Sequence, residues 1–273
     1  MVLIDCYSTD AFWFAVFAAA ICRFNRLKYV PILRGGNLPH RIQNSKRISD
    51  YLFNGSLLNV ATSRYLHECF NSHGYRSIII HNYIELIKYP FTHRRMVSPR
   101  ILWVRAFHST YNPVMAINTF RIVQERFPDA KLCMVGPAKD GTMDMCKKVV
   151  NSEGLNVEFT GKLEKEKWIK MSVEYDIFIN TTDYDNTPIS VMEAMALGMP
   201  VVSTNPGGVS KLINDGVDGI LVNTGDYESM ADSIINLLTD HNKAGSISRA
   251  AREKAEMWDW NVVKTKWMDL INQ

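Results

Sequence analysis

Nothing here is built to cross a bilayer as a helix. The apolar run "AFWFAVFAAAIC" (11–22) has 12 residues, against the ~20 that a membrane span needs. Asp5 and Asp10 precede it where a secretory leader would carry basic residues, so it is not read as a signal peptide either. The five cysteines (Cys6, Cys22, Cys69, Cys133, Cys146) form no C-x-x-C pair and lie scattered in apolar segments. That excludes a disulfide scaffold and a thiol metal site of the usual spacing, and reads as reduced thiols in a cytosolic protein. There is no low-complexity tract and no internal repeat, which removes disordered, collagen-like and solenoid classes. What remains is an ordinary globular composition, 47% hydrophobic and 22% charged. At 273 residues it is long enough for two domains, each with its own core.

The net charge of +3 is unevenly spread: residues 1–100 carry 13 Lys+Arg against 5 Asp+Glu, leaving −5 for the remainder. A basic half can face anionic lipid or a phosphorylated acceptor, or be merely an uneven solvated surface; nucleic acid is not among the expected partners. The apolar run 11–22 is read as a buried crossover helix capped by Ser8 and Thr9, with interfacial membrane contact left open.

From residue 100 onward, short apolar runs alternate with amphipathic stretches. Segments 100–107, 130–136, 156–161, 176–182, 200–204 and 219–222 read as strands, and 112–127, 142–152, 164–174, 188–197, 208–214 and 226–239 as helices. Such alternation implies a parallel, doubly wound sheet. The first 90 residues repeat the pattern with four strands, at 2–5, 28–33, 57–62 and 76–80. "IKYPFTHRRMVSP" (87–99) reads as the linker. Residues 256–271 read as one amphipathic helix with Trp260, Val263, Trp267 and Leu270 along a face. The expected division is a partial N-terminal domain over 1–90, a second domain over 91–255, and a helix over 256–273 packing back toward the first domain.

The densest chemistry lies in "DYDNTPISVMEA" (183–194). Pro188 suits the first position of a helix with Thr187 as its N-cap. Glu193 then falls at the sixth helical position, too deep to complete a capping box and flanked by Val191, Met192, Ala194 and Met195. A carboxylate there needs donors from elsewhere. In an open α/β sheet, ligands collect beyond the carboxyl ends of the strands, where this helix begins. The vicinal hydroxyls of a ribose would satisfy it through charge-assisted hydrogen bonds, and the opening N–H groups would meet a phosphate. The alternative is that Glu193 reaches solvent or pairs with a lysine. A second helix start, "STNPGGVSKLI" (203–213), presents Gly207 and Gly208 at a turn where close backbone approach is allowed.

The block "TDYDNTPISVMEAMALGMPVVSTNPGGVSKLINDGVDGILV" (182–222) closely resembles the nucleotide-sugar half of the group 1 glycosyltransferases, the retaining family 4 with the GT-B fold. The likeness extends through "ILWVRAFHSTYNPVMAI" (101–117) and "VEFTGKLEKEKW" (157–168), and loosely to "LRGGNLP" (33–39). It implies an α/β fold of two Rossmann-type doubly wound domains, the N-terminal one incomplete. It also implies transfer of a hexosyl group, with retention, from a UDP- or GDP-type sugar to a saccharide or lipid-linked acceptor, without cofactor or metal. The family's E-x7-E motif ends at the ribose-holding carboxylate, which Glu193 matches. Its first position is Asp185, a methylene shorter, expected with Asn186 to contact the hexose. Thr187, Pro188 and Ile189 would line the donor, Gly207 and Gly208 would shape its pocket, and Gly161 to Leu163 would hold the base. Arg105 matches the diphosphate-binding arginine, but no lysine stands near Thr110–Asn112, where the family's second cation falls; His108 is the nearest substitute.

"DYD" (183–185) also spells D-x-D, the metal motif of the other large glycosyltransferase fold, a minority reading. The resemblance places "VLIDCYS" at the family's fourth strand. That strand would then be an exposed apolar edge, open to a completing chain or self-association. A donor-binding protein without turnover and a nucleotide-sugar epimerase stay as alternative functions. The expected location is cytoplasmic, at or near the inner face of the membrane.

Overall fold

The computed structural model describes residues 1–272. In the N-terminal part, β1 (Val2–Cys6), α1 (Phe12–Phe24), β2 (Tyr29–Leu33), α2 (Leu38–Asn44), α3 (Lys46–Phe53), β3 (Asn59–Ala61), α4 (Arg64–Ser72) and β4 (Ser77–Ile79) alternate along the chain. The four strands form one parallel sheet in the order β1-β2-β3-β4. β2 is buried over its whole length, as a strand covered on both faces should be. Phe12, Ala19, Leu52, Phe53, Leu66 and Phe70 pack over one face.

The second part runs β5 (Arg100–Val104), α5 (Pro113–Arg126), β6 (Lys131–Val135), α6 (Thr142–Glu153), β7 (Val157–Gly161), α7 (Lys165–Met171), β8 (Ile177–Asn180), α8 (Ile189–Ala196), β9 (Val201–Thr204), α9 (Val209–Leu212), β10 (Ile220–Val222), α10 (Tyr227–Thr239), α11 (His241–Glu256) and α12 (Trp260–Ile271). Its parallel sheet has the order β10-β9-β8-β5-β6-β7, the doubly wound arrangement with its switch point between β5 and β8. Arg105 leaves the end of β5, and residues 183–188 leave the end of β8. The topology therefore brings both motif segments to the crevice where such sheets bind ligands.

The chain crosses between the two sheets twice, side by side. Ile84 donates to the Trp258 carbonyl at 2.9 Å and accepts from the Trp260 N–H at 2.9 Å. The Leu86 N–H meets the Asp259 carboxylate at 3.0 Å. Beyond this crossing, α12 lays Val263, Trp267 and Leu270 on the N-terminal sheet against Val30, Ile32 and Val60.

Several local expectations are corrected. α1 is the crossover helix between parallel β1 and β2, but it is buried on one face only: Phe14, Phe17 and Phe24 are 77%, 63% and 89% exposed on the other. Its N-cap is Ala11, with no side-chain cap from Ser8 or Thr9. The C-terminal helix starts at Trp260 and not at 256: Glu256 ends α11, and after the turn at 257–259 Asp259 caps α12. Trp260 leaves the packed face and stacks on Tyr83, ring centroids 4.5 Å apart. The segment 87–99, read as the linker, is firmly anchored. Arg94, 3% exposed, donates to the carbonyls of Thr92, Leu197, Ser172 and Tyr175 at 2.8, 2.7, 3.3 and 3.2 Å. β1 is indeed an edge strand, with Leu3 exposed. Among the described residues no helix is long and apolar enough to cross a membrane.

Candidate functional site

α8 is apolar nearly all round and every residue from Ser190 to Ala196 is buried, as expected for a helix with no solvent face. Its helical backbone begins at Ile189 with Pro188 as N-cap, one residue later than the sequence suggests. Thr187 does not cap it. Its hydroxyl points to the Thr62 carbonyl of the N-terminal domain, at 3.5 Å, and Ile189 packs into the core under the sheet.

Glu193 is 4% exposed, and the protein itself holds it. Its Oε1 accepts from the Tyr89 hydroxyl at 2.7 Å and from Lys165 Nζ at 2.6 Å. The expectation that only a visiting ligand supplies donors is therefore corrected: the lysine alternative is what the fold realises, with a tyrosine added. Burial, reinforced by the adjoining carboxylate, pushes the Tyr89 hydroxyl well above its usual range, so it remains a donor. Oε2 accepts from no group among the described residues. Neither Tyr89 nor Lys165 was legible beforehand. Tyr89 lies in the apparent linker, and Lys165 is one of several charges in "KLEKEKW".

Asp185 and Arg105 also face each other, in an ion pair. Asp185 Oδ1 additionally accepts the Asn186 N–H at 2.8 Å. The Arg105 guanidinium lies over the Tyr111 ring, 4.5 Å from its centroid. Burial draws its pKa down to about 10, with Tyr111 and Glu193 pulling the other way, so it remains a cation at neutral pH. One of its donors, Nε, is buried without a partner, and so is Ser190 Oγ in the first turn of α8. Both residues line a cavity of about 330 Å³, together with Gly136, Lys162, Leu163 and Trp168. A buried unpaired donor costs roughly 1–3 kcal/mol, so two around one cavity, one of them cationic, mark a place made for an anion or for hydroxyls. Leu163 reaches this cavity, while Gly161 closes β7 by giving its carbonyl to the Gly136 N–H at 2.9 Å.

A second cavity of about 400 Å³ adjoins it, sharing Arg105 and Tyr111, with Ser8, Arg34, Gly36 and Asp185 on its walls. It lies between the two domains. Asn186 is on the wall of this cavity too, and its side chain is also part of the clasp that closes the boundary. Its Oδ1 accepts from Ser63 Oγ, and its Nδ2 donates to Thr62 Oγ1 at 2.8 Å. Gly207 and Gly208 serve the same loop. A Cβ on Gly207, which has φ +53°, would meet the Asp185 carbonyl at 2.6 Å, and one on Gly208 would collide with the Asn186 carbonyl. They seat the 185–186 backbone and do not open onto Arg105. His108 accepts the Thr110 N–H at 3.2 Å and is on the wall of neither cavity. Asp183 is met by Asn112 at 3.3 Å, so the two carboxylates of "DYD" face different partners. Among the described residues no cluster of three or more His, Cys, Asp or Glu side chains forms a metal-ligand set.

A larger cavity, about 440 Å³, lies elsewhere on the domain boundary, with Ser63, His67, Lys211, Lys254 and Trp258 on its walls. Its lysines are spent on Glu68 at 3.1 Å and Asp218 at 2.7 Å, and no unpartnered buried polar atom lines it. The cavity at the switch point is the better candidate.

The family model for glycosyl transferases group 1 matches residues 89–254, which carries every residue of that cavity. The chain belongs to the group 1 glycosyltransferases. Similar curated proteins include the sulfoquinovosyl transferase SQD2 of Arabidopsis thaliana, 30% identical over 55% of this chain and 29% of that one. A GDP-mannose-dependent phosphatidylinositol monomannoside mannosyltransferase of Corynebacterium glutamicum is 26% identical over 53% of this chain and 39% of that one. The chain thus spans well under half the length of these relatives. Among solved structures, HepE of Anabaena in complex with UDP-glucose superposes with a TM-score of 0.82 at 20% identity, over 99% of this chain and 78% of that one. The fold is GT-B, two parallel α/β domains facing across a cleft.

Proposed function

We propose that this glycosyltransferase chain takes a nucleoside-diphosphate sugar of UDP or GDP type in the switch-point crevice. It then transfers the hexosyl group, with retention, to a hydroxyl of a saccharide or lipid-linked acceptor. The observation that carries this reading is the pair of unpartnered buried donors, Arg105 Nε and Ser190 Oγ, on one cavity at the end of β5. The base rests along Lys162 and Leu163, the diphosphate lies against Arg105 and the opening N–H groups of α8, and the hexose extends into the second cavity near Asp185. The acceptor hydroxyl enters between Ser8, Arg34 and Gly36. Its oxygen bonds to the anomeric carbon as the bond to the diphosphate oxygen breaks, and its proton passes to that departing oxygen. Arg105 stabilises the charge that develops on the leaving group, where a preorganised buried cation acts most strongly.

No metal ion is required in this reading: the 183 and 185 carboxylates are met by Asn112 and Arg105. Transfer that disappears with EDTA and returns with Mg²⁺ or Mn²⁺ would remove that part. A second reading, donor binding without turnover, is favoured by the clasp of Asn186 on Ser63 and Thr62 across the hexose side of the cleft. Incubation with labelled UDP- and GDP-sugars separates the two. Release of labelled sugar to water or an acceptor, lost in Arg105→Met, supports transfer; nucleotide binding without any release supports the second reading. Absence of nucleotide binding sinks both.

A further inference from the structure

Two ion pairs stand at or next to the switch-point crevice, each closed on itself: Arg105 on Asp185, and, behind the cavity wall but near enough for Glu193 to act on Arg105, Lys165 Nζ on Glu193 Oε1 at 2.6 Å. The four charges cancel. A nucleoside-diphosphate sugar brings the complementary set, a diphosphate with two negative charges and vicinal hydroxyls on the sugars at either end. Bound beside two closed pairs, the diphosphate would sit in a low-dielectric cleft whose buried cation is already neutralised, with only Lys162, loosely met by Glu164 at 3.8 Å, left on the cavity wall, which is costly. Bound with the pairs opened, each carboxylate receives hydroxyls and each cation receives phosphate oxygen.

The pair at Glu193 is arranged for such an exchange. Its two members differ in freedom: the Lys165 side chain is 49% exposed, that of Glu193 only 5%. The carboxylate also keeps a second donor, Tyr89 at 2.7 Å, and a second oxygen that accepts nothing among the described residues. Lys165 opens α7, three residues after Lys162 in the cavity wall. It therefore holds a cation next to the crevice, on an element other than the Thr110–Asn112 segment, which has none.

We propose that Lys165 is a diphosphate-binding residue of this chain, delivered by partner exchange. The ribose hydroxyls replace its ammonium on Glu193, and the ammonium moves onto the diphosphate beside Arg105. The exchange rests on the donor reading above and makes affinity depend on what the ligand offers. A nucleoside can displace Lys165 but gives it no new partner; a nucleoside diphosphate does both.

The test is Lys165→Met, measured by calorimetry with uridine, UDP, guanosine and GDP. Without a competing ammonium, the nucleoside of the preferred base binds more tightly, and this gain also reports a folded crevice. The matching diphosphate binds roughly tenfold more weakly, the scale of one charge-assisted contact. Lys165→Arg restores the diphosphate affinity. Diphosphate affinity unchanged by Lys165→Met overturns the proposal, as does a parallel gain or a parallel loss for nucleoside and diphosphate. Those results leave the donor reading standing; failure of all four ligands to bind the native chain removes both.

Discussion

Replacing Tyr89 by phenylalanine isolates the buried one of the two contacts that hold Glu193. The hydroxyl donates to the carboxylate at 2.7 Å, and both residues are nearly inaccessible, 3% and 4% exposed. Removing a hydrogen bond to a charged acceptor costs about 1.5–3 kcal/mol when the acceptor stays buried. The other partner, Lys165, is half exposed, so screening holds its share to about 0–1 kcal/mol. For a chain of this size, about 2–4 °C of midpoint accompanies each kcal/mol. Tyr89→Phe should therefore lower Tm by roughly 3–12 °C in calorimetry, and Lys165→Met by no more than about 4 °C. In the double variant Glu193 is stripped of both donors, so the loss should exceed the sum of the single ones. A Tyr89→Phe protein that melts with the native chain, or a strictly additive pair, would refute the claim that these two groups jointly hold the carboxylate.

Arg94→Met should destabilise the chain by about 3–5 kcal/mol in denaturant titration, because it strips four carbonyls, three of them buried, of their shared donor and leaves Asp176, 3.8 Å away, without its cation. Asn186→Leu should loosen the two domains, seen as faster hydrogen exchange at Thr62 and Ser63, since both side chains lose their partner across the boundary. Asp140 is held down to about 2 by the Thr142 hydroxyl and the Thr142 and Ser109 N–H groups, from 3.8. A depressed carboxylate stabilises the fold above its unfolded pKa, and that contribution is lost as pH falls through the folded value. Tm should consequently drop more steeply between pH 4 and pH 2 in the native chain than in Asp140→Asn.

Nine of the ten strands lie inside the apolar runs read from the sequence, and β1 overruns its run by Cys6 alone, because parallel strands covered on both faces leave continuous β-branched and aromatic stretches. The switch point was legible for the same reason: Arg105 and residues 183–188 each follow such a run. Helix limits were less so. α2 and α3 went unread because 38–53 mixes charges with few apolar positions, and α11 because its buried face is largely Ala244, Gly245, Ser248, Ala251 and Ala255, too small to register as hydrophobic periodicity. At the site, the anomaly of Glu193 among aliphatic residues pointed to the right helix but to the wrong partner. Its donors come from positions 104 residues before and 28 residues before it, and no local pattern encodes so distant a contact. Asn186, Gly207 and Gly208 were legible as special, but not the second job of their loop: Asn186 lines the second cavity and also clasps the boundary, and the glycines seat the 185–186 backbone behind it. Ser190 was passed over because a serine in the first turn of a helix is ordinary.

The most direct test is a crystal structure of the chain grown with UDP or GDP. The account predicts diphosphate oxygens on Arg105 and over Ser190, ribose hydroxyls on Glu193, Tyr89 still in place, and Lys165 moved from the carboxylate to the phosphates. A nucleotide bound elsewhere, with the Lys165–Glu193 pair intact and nothing against Arg105, would contradict it.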